Sequence, residues 1–183
     1  MKKYLAVLSV MLLLAPAALA APSARIALPN KSDTVVLPPG SGLKFDKFDS
    51  DGNVVFSGKL TLSGTFYYGD NAFNDGTTVD LTLYFHPDAA TIARLPYLQT
   101  RGKAGEIVLT NGEAFAASVL TPAQRATLAK KSKTAPYATG TASVLVDGFD
   151  AGVVCDTASF TAHYLSLVKP ATAKMGADPG AGC

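Results

Sequence analysis

The chain has 183 residues, of which 48% are apolar and only 16% charged, enough to build a packed core and too apolar for a disordered chain. Setting aside Lys2 and Lys3 with an N-terminal leader leaves 14 of its 16 Lys and Arg, matching the 14 Asp and Glu. A neutral body lacks the excess cations with which a nucleic-acid or anionic-membrane binder displaces counterions, so neither partner is expected.

The leader is read from Met1-Lys2-Lys3 as a positive start, Tyr4 to Leu14 as an apolar run, and Ala18-Leu19-Ala20 as a small-x-small cleavage pattern. Export is expected, to a periplasm or the cell exterior, with cleavage near Ala20. The apolar run is about half the roughly 20 residues that a bilayer span needs, so no stable membrane insertion is expected. Residues 21–183 then form a single β-rich domain.

A lead-in from Ala21 ends in a short strand at Thr34 to Leu37, closed by the loop residues Pro38-Pro39-Gly40. Val54, Phe56, Leu60, Leu62, Phe66 and Tyr68 share one parity, and Ser57, Lys59, Thr61, Ser63 and Thr65 the other. Period two predicts a half-buried strand, and Gly58 and Gly64 are the places for it to bend. Val79, Leu81, Leu83 and Phe85 repeat the alternation, with Thr78, Asp80, Thr82 and Tyr84 on the other face, and should pair antiparallel with the first run. A helical turn fits Asp88 to Leu95.

Asn111-Gly112 stands between two apolar runs and predicts a hairpin within Ile107 to Leu120, because a type I′ turn needs positive φ at both centres. Thr121-Pro122-Ala123-Gln124 carries a capping box with Pro at the first helical position, so a helix should run to about Lys131. Lys130, Lys131 and Lys133 complement its dipole. Strands at about Gly140 to Val146 and Val153 to Val168 complete the domain. The expected fold is all-β, an antiparallel β-sandwich or partly closed β-barrel with one or two short helices.

Cys155 and Cys183 are the only cysteines, and in an oxidising compartment such a pair is expected to form a disulfide pinning a C-terminal tail over about 170–183. His163 shares a strand parity with Ser159 and Thr161, and the preceding strand carries Thr139, Thr141 and Ser143, so Thr141, Thr161 and His163 mark a hydroxyl-rich sheet face for a partner. Neither His86 nor His163 has a ligand-spaced neighbour, no G-x-S-x-G elbow is present, and Glu106 and Glu113 flank the Asn-Gly turn. No catalytic residue and no cofactor are therefore assigned. Asp49, Asp51 and Asn53 form an oxygen-rich run, but the Gly and Glu positions of a calcium loop are not met, and Asp51-Gly52 reads as a hairpin turn, so no metal is expected.

Ser63-Gly64-Thr65-Phe66-Tyr67 has the form S-G-x-x-Y, and Tyr97-Leu98-Gln99-Thr100-Arg101-Gly102 the form Y-x-x-x-R-G. In these segments the chain resembles the bacterial periplasmic lysozyme inhibitors, small exported β-barrels. The resemblance implies an enzyme partner met by Ser63, Tyr67, Tyr97 and Arg101. The functional expectation is an exported, non-catalytic binding or interaction module for an unknown small molecule or protein. A lysozyme-inhibitor-like protein, a small hydrolase and a calcium-binding domain are its alternatives.

Overall fold

A computed structural model describes residues 22–29, 31–70, 79–130 and 135–177. The strands are β1 (Ala24–Ala27), β2 (Thr34–Leu37), β3 (Lys44–Phe48), β4 (Val54–Ser57), β5 (Leu60–Asp70), β6 (Leu81–Pro87), β7 (Tyr97–Leu98), β8 (Gly102–Lys103), β9 (Ile107–Thr110), β10 (Pro136–Val154) and β11 (Thr157–Ala177). Among the described residues three short helices interrupt them: α1 (Ala89–Ile92), α2 (Gly112–Val119) and α3 (Pro122–Leu128). The expected all-β class holds, with one helix more than the sequence predicts.

β1, β2, β7 and β8 form a small antiparallel sheet. The other seven strands lie in the order β11-β9-β6-β5-β10-β4-β3, and β11 also pairs with β10, so five of them close a ring, β5-β6-β9-β11-β10. Every ring pairing is antiparallel except β9 with β11. Counted along the chain, the ring runs first, second, third, fifth, fourth. Its third and fifth strands are parallel, and its helices α2 and α3 stand between the third and fourth.

The alternating parity places the core where the sequence puts it. Val54, Phe56, Leu60, Leu62, Phe66 and Tyr68 are all buried, while Thr61 and Ser63 are half-buried and Thr65 is exposed. The predicted bend at Gly58 separates β4 from β5. Its φ is +110°, and a Cβ there would stand 2.7 Å from the Gly42 carbonyl oxygen, so only glycine fits.

The Asn111-Gly112 expectation is corrected. Asn111 does take the left-handed conformation, with φ 64°, but the chain leaves it as α2 and not as a returning strand. The segment from Gly112 to Val119 is rich in alanine, a strong helix former, and as a helix it buries Phe115 in the end of the barrel. The Phe115 ring meets Phe66 at 4.8 Å and Tyr164 at 5.4 Å, both edge to face. Asn111 Nδ2 donates to the Tyr164 carbonyl and fixes the helix entry against β11. α3 begins with the predicted capping box on Thr121 and Gln124, but stops at Leu128.

The last two strands are longer than predicted. Gly148, expected between strands, is a bulge within β10, and the turn falls at Cys155 and Asp156, both left-handed with φ 47° and 61°. β11 runs on past Pro170 to Ala177, paired with Pro136, so residues 170–177 are ladder and not tail. Pro170 is tolerated because the register shifts between Lys169 and Thr172. Cys183 lies outside the described residues; Cys155 is exposed and carries no disulfide among them. Also among the described residues, no helix is long and apolar enough to cross a membrane.

Candidate functional site

Where the inward parity of the ring is buried, the outward parity forms a surface in register across strands far apart in sequence. One row runs Thr139, Tyr67, Tyr84, Val108, Thr161, crossing β10, β5, β6, β9 and β11 through successive pairings. A second, two residues along, holds Thr141, Thr65 and His86. On the other side of the first, Tyr137 pairs with Gly69, and Thr110 with His163. At roughly 4.8 Å per strand the first row measures about 19 Å round the closed ring, of which Tyr67 to Val108 takes about 10 Å.

Three tyrosines dominate this surface. Tyr67 and Tyr137 stack at 4.9 Å with 27° between their planes, and Tyr67 and Tyr84 lie 6.3 Å apart, tilted. Tyr137 fits because its neighbours on both sides are glycines. A Cβ on Gly69 would come within 2.9 Å of Tyr137 Cβ, and one on Gly176 within 2.5 Å of the Tyr137 ring. Bare backbone under an aromatic ring holds the ring flat against the sheet. All three side chains remain half-buried, which leaves part of each ring at the surface.

Polar groups frame the tyrosines. His86 Nε2 lies 3.7 Å from Glu106 Oε2, an exposed pair. Burial pushes the Tyr84 phenol above its usual pKa, and the charge of Glu106 adds to it, so Tyr84 stays a neutral hydroxyl. Thr110 Oγ1 lies 3.1 Å from His163 Nδ1. Beside Val108 and Glu106 the surface falls into a cleft of about 300 Å³, with Lys103 on one wall and Thr157 and Ser159 on the other.

Of the residues singled out from the sequence, Tyr67, Thr141, Thr161 and His163 share this outer surface. Ser63 lies on it too, at the edge of a second cleft of about 440 Å³ that also takes in Thr141 and Lys169. Ser63 Oγ meets Ser143 Oγ at 3.0 Å across the β5–β10 ladder, within a regular strand. Thr141 and His163 are not ladder neighbours, since Thr141 faces Thr172 and His163 faces Asp147.

Tyr97 belongs to β7 of the small sheet and Arg101 to the turn between β7 and β8, away from Ser63 and Tyr67 on β5. Arg101 NH1 donates to Asp33 Oδ2 at 2.8 Å, and its Nε donates to the Asp156 carbonyl at 3.1 Å. Burial opposes the Asp33 charge, but hydrogen bonds from Thr100, the Thr34 amide and Arg101 outweigh it and hold the carboxyl at about 2. This pair ties the β10–β11 turn to the small sheet.

The run Asp49, Asp51, Asn53 is a turn closed on itself. Asp49 Oδ1 accepts from the amides of Asp51 at 2.9 Å and Asn53 at 2.8 Å, and its Oδ2 accepts from Asn53 Nδ2 at 3.0 Å. Asn53 Oδ1 in turn accepts from Lys31 Nζ at 2.9 Å. Among the described residues no three His, Cys, Asp or Glu are grouped to hold a metal ion.

Tyr84, Tyr137, His86 and Glu106 are absent from the sequence-derived set. The alternation of β6 does place Tyr84 on its polar face, which was the one available signal; its neighbours appear only when β5 and β10 are in register. Comparison with protein-family models, characterised proteins and solved structures finds no match to this chain.

Proposed function

We propose that the chain is an exported, non-catalytic binding module whose ligand or partner lies across the outer surface of β5, β6, β9 and β11. The observation that carries this reading is the in-register pair Tyr67 and Tyr84, with Tyr137 stacked behind them. Tyrosines fixed by packing lose little conformational freedom on binding and offer both an apolar face and a hydroxyl, which is why they are enriched at binding surfaces. A fold does not by itself fix a function, so the reading rests on these side chains. Export is supported by the leader pattern of Lys2, Lys3, the apolar run and Ala18-Leu19-Ala20.

The reading is tested by recording amide NMR spectra of the mature chain against a library of small fragments. The amides of Tyr67, Tyr84, Val108 and Thr161 are expected to move with the largest share of hits. Hits clustered around Tyr97 and Arg101, or spread without preference, would overturn it.

A further inference from the structure

Three clefts and one aromatic surface stand out on the molecule. The 440 Å³ cleft has hydroxyls that already pair with one another, Ser63 with Ser143 and Thr141 with Thr172. A cleft of about 400 Å³ at the β10–β11 turn holds Lys31 and Arg101, both committed to partners within the fold. The aromatic surface and its adjoining 300 Å³ cleft carry an argument about ligand chemistry.

We propose that this surface takes a neutral, hydroxyl-rich ring compound, a short chain of pyranose sugars, stacked on Tyr84 and Tyr67. The inference rests on the preceding reading of where binding occurs. A pyranose has an apolar C–H face that packs on an aromatic ring, and an equatorial rim of hydroxyls that needs donors and acceptors in the plane around it. The surface supplies both. The tyrosine rings form the shelf, with Thr161 farther along their own row and Thr65, Thr110, His86 and Glu106 on the neighbouring rows. Glu106 is an acceptor for sugar hydroxyls, and the Tyr84 phenol, already bonded to Thr82 on its own strand, has one further hydrogen bond to offer.

Charge decides against the other class of flat ligand. A nucleic-acid strand also stacks on aromatic rings, but a groove that tracks phosphates is lined with unpaired Lys and Arg. Here the lysines stand singly, Lys103 at the cleft, Lys174 opposite Thr139 and Lys169 at the 440 Å³ cleft, and do not line one groove. The dimensions favour a chain over a single ring, because the stretch from Tyr67 through Tyr84 to Val108, two strand spacings or about 10 Å, continues at Val108 into the cleft. The cleft is small and open, with hydroxyls on its wall, so it does not suit a lipid tail.

The test uses the mature chain, its Tyr84→Ala variant and its Tyr84→Phe variant. Each is titrated with cellotetraose, maltotetraose and chitotetraose, and with single-stranded oligo-dT, followed by calorimetry and by amide NMR. The expected result is saturable binding of at least one of the three sugars that moves the amides of Tyr67, Tyr84 and Val108. Tyr84→Ala should weaken it about tenfold or more, Tyr84→Phe by only about threefold, and about 0.5 M salt should change it little. Binding of oligo-dT at the same amides, lost in salt, would overturn the sugar assignment and leave the surface as the binding site. Sugar binding that moves other amides, or sugars that do not bind while fragments still collect on the tyrosines, would also overturn it. If neither sugars nor fragments touch these amides, both readings fall. Tyr84→Phe keeps the ring and its packing, so loss of binding in Tyr84→Ala together with retention in Tyr84→Phe separates recognition from misfolding.

Discussion

Asp150 on β10 hydrogen bonds to Asp49 in the β3–β4 turn, two carboxyl groups brought together next to the Lys31 ammonium. Burial, then the charge of Asp49, raises the Asp150 pKa to about 6, while amide and side-chain hydrogen bonds hold that of Asp49 down. The pair therefore carries one proton in mildly acidic solution, with Asp150 as donor and Asp49 as acceptor. Asp51 adds to the negative field and Lys31 offsets it.

A group whose pKa is higher in the folded chain than in the unfolded one stabilises the fold at low pH and loses that contribution as pH rises through the folded value. For Asp150 the window runs from about 4 to about 6. Asp150→Asn does not titrate and still offers Asp49 a donor. Its melting temperature minus that of the wild type is therefore expected to become more positive between about pH 4 and pH 7. A difference that is flat or falls over that range would show that Asp150 is not held protonated by Asp49.

Asp33 works with the opposite sign. Its carboxylate is buried and accepts from the amides of Thr34 and Thr100, the Thr100 hydroxyl and Arg101. Asp33→Ala leaves these donors without an acceptor and should cost about 3 kcal/mol at pH 7, as breaking a buried charged network does. Because the folded pKa lies below the unfolded one, this stability is present above about pH 4 and fades toward pH 2. Urea unfolding at pH 7 and at about pH 2.5 measures both quantities. An equal loss at the two values would assign the effect to packing and not to charge.

The legible part of the fold was the part with one buried face. In β5 and β6 the burial of Leu62, Phe66, Leu83 and Phe85 follows a period of two because solvent lies on one side only. α3 was readable from Thr121 and Gln124, whose capping box is a local arrangement. Asn111-Gly112 identified a left-handed residue correctly, but that conformation opens a helix as readily as it closes a hairpin, and the burial of Phe115 decides between them. The β10–β11 turn was hidden because Cys155 is not a turn residue by composition, while Gly148, which is, serves as a bulge. Half of the candidate site was similarly hidden. Tyr67, Tyr84 and Tyr137 are scattered along the chain, and only the ring's register makes them neighbours.

Cys155 stands exposed at the turn that opens β11, and Cys183 lies outside the described residues. In an oxidising compartment the two are expected to pair, so the native monomer, purified without reductant, should show no thiol titratable with Ellman's reagent until it is reduced. A Cys155 thiol that reacts in the native monomer would overturn the pairing.

Phe115 is the residue on which the closed end of the barrel depends. Its ring is fully buried between Phe66 on β5 and Tyr164 on β11, two strands that do not pair with each other, so it fills the lumen and does not merely extend one sheet. Phe115→Ala should cost about 3 to 5 kcal/mol, the range for deleting a buried aromatic ring and leaving a cavity. Phe115→Leu should cost less, because it refills most of the volume. Ser118, one turn along α2, accepts from the Tyr164 hydroxyl at 3.2 Å, and Ser118→Ala should cost about 1 kcal/mol through that lost hydrogen bond. Chemical denaturation of the three variants checks the order. Were residues 112–120 a surface hairpin strand, Phe115→Ala would fall near about 1 kcal/mol or below, as exposed positions do. A large and selective loss at Phe115 places α2 inside the barrel mouth, where it supports from within the two strands that carry Tyr67 and Thr161 on their outer side.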